Sequence, residues 1–307
     1  SGPRCGDRPP DIGSHAMTSS AETQLPLSIR SPGNLPSSEF GLAMGWVLAH
    51  HFLGMNDLHY GYWPAGLPVV PQNLAAAQAH YTELLMSHIP PGVRAILDVG
   101  MGAGTTARKL VEKGYRVDGV SPNGVLTDVA RAVLGERATI FETRFQDLRT
   151  DRRYDLVLFS ESLLFIPLDA AFQQALELLN PGGYVLITDI FRVPNETKSP
   201  IGGGHELPKF RDAVSRFPLE PLEDFDMTDG IAPTFDLLDR AYAEALQPAY
   251  NLLLARLTAS YPWIMKFVRW KFRKKMDRYE SKHFSGRRNG ASFKQYKSYR
   301  LLLFRKT

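Results

Sequence analysis

The chain has 307 residues, 44% of them hydrophobic, enough for one large domain or two small ones with a sizeable core. No apolar run approaches the ~18 residues of a membrane-spanning helix, so a helical integral membrane protein is excluded. The net charge of +4 hides an asymmetry: residues 262–307 carry 15 Lys and Arg against 2 Asp and Glu, a net of +13, which leaves the remainder at −9. A basic end of this kind suits an anionic small molecule, a membrane surface or nucleic acid.

Residues 1–16 read as an expression tag ahead of Met17, and they hold the chain's one cysteine, Cys5. With no other cysteine, neither disulfides nor thiol chemistry is expected, and a reducing cytoplasm is the simplest home. Residues 18–37 are polar and rich in Pro and Ser, so 1–37 is expected to be tag and flexible terminus. Ser37-Ser38-Glu39 is a helix-start signal and predicts a helix through Trp46 to Phe52. An aromatic cluster, His59-Tyr60-Gly61-Tyr62-Trp63-Pro64, comes next, then a helix over about 73–89 that Pro90-Pro91-Gly92 ends.

From there strands and helices alternate. Strands are predicted over 94–99, 115–120, 138–142, 154–159 and 184–190, with helices over about 105–113, 125–134 and 169–179. Asn180-Pro181-Gly182-Gly183 is a turn before the fifth strand. Such alternation argues for a Rossmann-like, doubly wound parallel sheet whose ligand sits at the carboxyl ends of the strands.

The first of these strands runs into Ile96-Leu97-Asp98-Val99-Gly100-Met101-Gly102-Ala103-Gly104, and a helix begins at once with Thr105. Glycines let the backbone turn tightly and let a ligand come close, and the helix N-terminus offers unpaired N–H groups to an anionic ligand group. A dinucleotide fingerprint is Gly-x-Gly-x-x-Gly, but Thr105 stands where its third glycine belongs. The pattern Asp-x-Gly-x-Gly-x-Gly instead resembles motif I of the class I S-adenosylmethionine (SAM) methyltransferases. The resemblance implies a loop that wraps the methionine part of SAM, with Asp98 near its amino end and Gly100, Gly102 and Gly104 forming the cradle.

Further segments agree with it. After the second strand comes Gly119-Val120-Ser121-Pro122-Asn123. Many family members place a ribose-chelating acid where Ser121 stands; this sequence looks more like the sterol and cyclopropane-synthase branch, in which a Ser-containing turn serves. Ser121 and Asn123 can hydrogen-bond a ribose, and both also favour an ordinary helix cap. Phe145-Gln146 matches the branch's adenine contact, although Phe145 can equally be core. Phe159-Ser160-Glu161-Ser162 closes the fourth strand, which in this fold faces the transferred methyl. Ser160 is thereby a cofactor contact, and Glu161 is either a general base or a loop-fixing carboxylate. The aromatic segment at Tyr60 is similar to one that folds over SAM in small-molecule methyltransferases, with Tyr60 near the sulfonium. His205, after Gly202-Gly203-Gly204, is a second candidate base or a structural histidine. No metal-ligand spacing is present, so no metal is expected.

Beyond Arg192 the alternation breaks. Asp226-Met227-Thr228-Asp229 looks like a sixth-strand end, a long helical region spans about 235–280, and 299–304 is a last strand, antiparallel in this family. The expected organisation is a SAM-binding core over 38–234, a basic helical lid over 235–290 and a returning strand over 291–307. Residues 263–279 form a basic amphipathic helix that can meet anionic lipid or a substrate acid, its simplest fate being a solvated helix packed on the acidic remainder. No nucleic-acid module accompanies the charge. The implied activity is methyl transfer from SAM, which leaves S-adenosyl-L-homocysteine (SAH), to an O, N or C nucleophile of an amphiphilic small molecule such as a lipid-, polyketide- or isoprenoid-like acid. An NAD(P)-dependent oxidoreductase and a non-catalytic membrane-surface protein are the alternatives.

Overall fold

The computed structural model describes residues 41, 44–48, 50, 51, 55 and 57–307, apart from the side chain of residue 282. The expected tag, the flexible terminus and the Ser37–Glu39 start signal lie outside the described residues. Residues 44–48 are helical, and Trp46 is buried against Ala103, Leu126 and Val129.

After the helical residues 44–48, nine α-helices follow among the described residues: α1 Leu74–Ser87, α2 Thr105–Glu112, α3 Gly124–Leu134, α4 Leu168–Leu178, α5 Leu207–Val214, α6 Thr228–Ala241, α7 Gln247–Ser260, α8 Pro262–His283 and α9 Gly290–Tyr296. The strands are β1 Ala95–Val99, β2 Arg116–Val120, β3 Ala138–Phe141, β4 Tyr154–Ser160, β5 Leu179–Arg192, β6 His205–Glu206, β7 Leu219–Asp226 and β8 Lys297–Lys306. They form one sheet in the order β3-β2-β1-β4-β5-β8-β7, with β6 paired to β5. Only β8 runs against its neighbours, antiparallel to β5 and β7.

Every residue of β1 is buried, as expected of a strand covered on both faces. Side chains alternate between the faces. Leu97 and Val157 pack with Phe172 of α4 and Phe210 of α5. Ile96 and Leu156 pack on the other side with Tyr81 of α1, Leu110 of α2 and Phe235 of α6. The strand order reverses between β1 and β4, and a ligand crevice opens at such a switch point.

Asn180–Gly183, expected as a turn before the fifth strand, instead lie inside β5. Leu179 pairs with Tyr154 and Tyr184 with Leu156, so the intervening residues bulge out of register. The predicted sixth-strand end is the end of β7, Asp226.

The helical region over 235–280 is not continuous. It is α6, a π-helical turn over Tyr242–Leu246, α7, a break at Tyr261 and α8. Tyr261 has φ −137° and ψ 62°, because Pro262 disfavours a helical residue before it and itself starts α8. The expected divisions after 234 and after 290 fall inside α6 and α9. Phe235 of α6 is buried and stacks on Phe293 of α9, with ring centroids 4.3 Å apart. Helices α7 and α8 fold back on each other, with the Tyr250 hydroxyl donating to the Glu280 carboxylate at 3.1 Å.

The expectation that the basic helix packs on the acidic remainder is corrected. Trp263, Phe267 and Trp270 are exposed, and among the described residues the ion pair of its cations is internal, Arg273 with Asp277. Its buried contact is Met265, on the opposite side of the helix, and one such contact is too small an anchor to bury the rest.

Candidate functional site

The crevice is a cavity of about 840 Å³, within the usual range for small-molecule sites. The glycine loop, the ends of β2 and β4, the Phe145 turn and the segment 57–60 line it.

Gly100, Gly102 and Gly104 all have positive φ, 75°, 55° and 81°. Gly100 carries a second constraint, since a Cβ there would collide with the Cβ of Ser162 on the neighbouring loop. The Gly100 N–H donates to the Val120 carbonyl at 2.8 Å, tying the loop to β2. Helix α2 follows with no side chain capping its N-terminus.

Asp98 is 2% exposed and lines the cavity, and its Oδ2 has no hydrogen-bond partner. Burial pushes its carboxyl up to about 7, partly opposed by His59. Ser162 Oγ is likewise buried, unpartnered and in the lining. Buried polar atoms are nearly always satisfied, so a ligand with polar groups at these two points is what the cavity lacks. An ammonium group suits Asp98. The residues therefore fit SAM.

The other expected cofactor contacts converge on this cavity with different freedom. Ser121 and Asn123 line it and are buried. Asn123 also caps α3, its Oδ1 accepting from Leu126 N at 3.2 Å. Phe145 serves both expected roles: it lines the cavity and packs edge-on against Phe159 in the core, centroids 5.4 Å apart. Gln146 lines the same wall. Ser160 also lines the cavity, but its Oγ is engaged with the Tyr81 hydroxyl at 3.0 Å.

Glu161 has φ 54°, left-handed for a non-glycine residue, a strained geometry found most often at functional sites. Its N–H donates to the Thr188 carbonyl at 2.8 Å. Its Oε1 accepts from the Tyr60 N–H at 2.9 Å and the Tyr299 hydroxyl at 2.7 Å. Burial raises its carboxyl above the ordinary range, against the opposing pull of His59 and these two donors. Tyr60 lines the cavity, with its ring against Phe235 at 4.9 Å. Burial and the Glu161 charge push its hydroxyl up, so it stays neutral.

His205 is outside the cavity lining. Its Nε2 lies 3.1 Å from the Leu163 carbonyl and 3.0 Å from that of Ile166, so the ring anchors the 163–166 turn. Of its two expected roles, base or structural histidine, these contacts support the structural one. Among the described residues no group of three or more potential ligands can hold a metal.

Sequence reasoning missed Ser162, Tyr81, Tyr299 and Asp189. Tyr81 donates to Thr188 Oγ1 at 2.7 Å and shares a 2.9 Å hydrogen bond with the Tyr299 hydroxyl, so α1, β5 and β8 meet under Glu161. Asp189, pushed up to about 8 by burial, accepts from the Leu164 N–H at 3.0 Å. Tyr81 carries only a core signal, Ala77, Tyr81 and Leu85 recurring every fourth residue on the buried face of α1, and nothing local marks any of the four as part of the site.

The family model described as a methyltransferase domain matches residues 96–183. An uncharacterized methyltransferase of Mycobacterium tuberculosis is 30% identical over 95 residues, 31% of this chain and 39% of that protein. The match thus spans well under half the length of that relative. The (+)-O-methylkolavelool synthase of Herpetosiphon aurantiacus is 29% identical over 207 residues, 58% of this chain and 69% of that enzyme. The geranyl diphosphate C-methyltransferase of Streptomyces coelicolor, crystallised with Mg2+, geranyl diphosphate and SAH, superposes with TM-score 0.62 over 90% of this chain and all of that one, at 17% identity.

Proposed function

We propose that the chain is a class I SAM-dependent methyltransferase and that it methylates an O, N or C nucleophile of a small amphiphilic molecule. The observation that carries this is the unpartnered Asp98 oxygen at the glycine loop, in a cavity whose other wall is apolar. Leu164, Phe165, Ile166 and Ile190 make that wall, and Phe165 stands 74% exposed. The geranyl diphosphate held by the Streptomyces protein and the name of the Herpetosiphon enzyme support an isoprenoid-like acceptor.

When bound, SAM supplies an electrophilic methyl group on a sulfonium. In this reading Asp98 holds the ammonium, Ser121 and Asn123 face the ribose, and Phe145 and Gln146 hold the adenine. The apolar wall excludes water and aligns the acceptor, and alignment of this kind can contribute ~7–11 kcal/mol. Glu161 receives the acceptor proton. Its raised carboxyl makes it a stronger base, and its two donors on Oε1 fix it in place.

The test is calorimetry with SAH, SAM and NADH, then transfer of a labelled methyl to a panel of isoprenoid alcohols, isoprenoid and fatty acids, and compact amines. Binding of SAH and labelling of the amphiphiles is the expected result. Binding of NADH without SAH defeats the methyltransferase reading, and labelling of compact neutral amines alone defeats the acceptor class.

A further inference from the structure

Trp263, Phe267 and Trp270 stand at i, i+4 and i+7 of α8, so they share one face and form a stripe about 10 Å long. Trp263 is 81% exposed and Trp270 76%. Lys266 and Lys271 lie beside the rings, with ammonium groups 5.9 Å from Trp263 and 5.6 Å from Phe267. Arg273, Lys274 and Lys275 continue the patch one turn further on. Tyr261 at the hairpin tip is exposed as well, and so are Leu252 and Leu253 midway along α7. An exposed apolar patch bordered by charge marks an interaction site.

We propose that the α7–α8 hairpin docks on the surface of an anionic lipid bilayer. The rings of the α8 stripe sit at the headgroup level, where amphipathic aromatics are favoured, and the flanking cations meet lipid phosphates. Charge complementarity selects this occupant. A second copy, packed about a two-fold axis, would set the same cations against each other. An oligonucleotide would meet Trp and Phe rings along the centre of the patch and cations only at its margins. Residues 247–283 carry nine Lys and Arg against two Asp and Glu, a net of +7, which leaves the rest of the chain at −3, so the hairpin is the end that an anionic surface attracts. No described helix is long and apolar enough to cross a membrane, which leaves the surface mode of contact for this hairpin. The inference stands on the hairpin alone and does not depend on methyl transfer.

The experiment is vesicle cosedimentation of the full chain without SAM, on phosphatidylcholine alone and on phosphatidylcholine mixed with phosphatidylglycerol. Binding to the mixed vesicles, weakened by salt and absent on phosphatidylcholine alone, is expected. The W263A/W270A variant, altered at exposed positions, should bind at least about tenfold more weakly with an unchanged melting midpoint. K271Q/K274Q should lose roughly fivefold per cation. The proposal is overturned if the mixed vesicles are not bound, or if both variants bind like the parent. It is equally overturned if W263A/W270A converts a dimer to a monomer without changing vesicle binding, which gives the face to a second copy.

Discussion

Replacing Asp98 by Asn sets folding against binding, and the two respond to pH with opposite signs. In the free protein burial lifts the Asp98 carboxyl from 3.8 to about 7. The folded state therefore holds a proton that the unfolded chain releases, and stability falls as pH rises from about 4 through 7. Three pKa units correspond to up to about 4 kcal/mol lost by pH 8. Asparagine cannot ionise and escapes that loss, but it leaves a buried amide group unsatisfied, at a cost of about 1–3 kcal/mol. The D98N variant without ligand should therefore be more stable than the parent by about 1–3 kcal/mol at pH 8, and no more stable at pH 4. Binding moves the other way. Loss of a charge-assisted hydrogen bond to the ligand ammonium weakens SAH by about 10- to 150-fold at pH 8. In the parent, SAH affinity should rise about tenfold per pH unit up to pH 7 and then level, because the carboxyl must lose its proton to hold the cation. In D98N that dependence should be flat. Urea unfolding at both pH values and calorimetry across the range measure all of this. A D98N protein equally destabilised at both pH values, or a parent with pH-independent SAH affinity, refutes the assignment of Asp98 to the ligand ammonium.

Three further outcomes are expected. Glu161→Gln keeps an acceptor for Tyr60 and Tyr299 but cannot take a proton, so kcat should fall by about 10²–10⁴ and the parent's rise in activity with pH should vanish. A SAH affinity that falls in parallel with kcat would make Glu161 a positioning residue instead. Gly100→Ala places a Cβ against Ser162 at a left-handed position, costing at least about 1–2 kcal/mol of stability, and SAH binding should be lost in calorimetry. His205→Ala frees the 163–166 turn, so the unfolding free energy should drop by about 1–2 kcal/mol while SAH affinity stays within about threefold. A collapse of SAH binding in that variant would return His205 to the site.

Much of this protein was legible from local pattern. Five strands, the helices between them and the glycine loop follow from short-range rules: buried apolar runs, turn residues and the φ > 0 that glycine tolerates. The positions of Asp98, Ser121 and Phe145 follow as well, because each lies within a few residues of the end of a strand whose carboxyl edge faces the crevice. The antiparallel entry of the last strand came from the resemblance to a family, and its partners β5 and β7 from the structure. What each side chain does at those positions depended on which strands became neighbours. Glu161 is a cradled carboxylate because β8 brings Tyr299 under it and the segment before α1 brings the Tyr60 N–H across it. His205 was drawn away from the site because β6 pairs with β5 and turns the imidazole to two carbonyls. The basic helix has one face of sequence and two fates, and whether the acidic remainder would cover it depended on the break at Tyr261 and the antiparallel fold of the hairpin. Periodicity is a property of one segment, whereas hydrogen-bond partners, burial and charge neighbours belong to pairs of segments far apart in the chain.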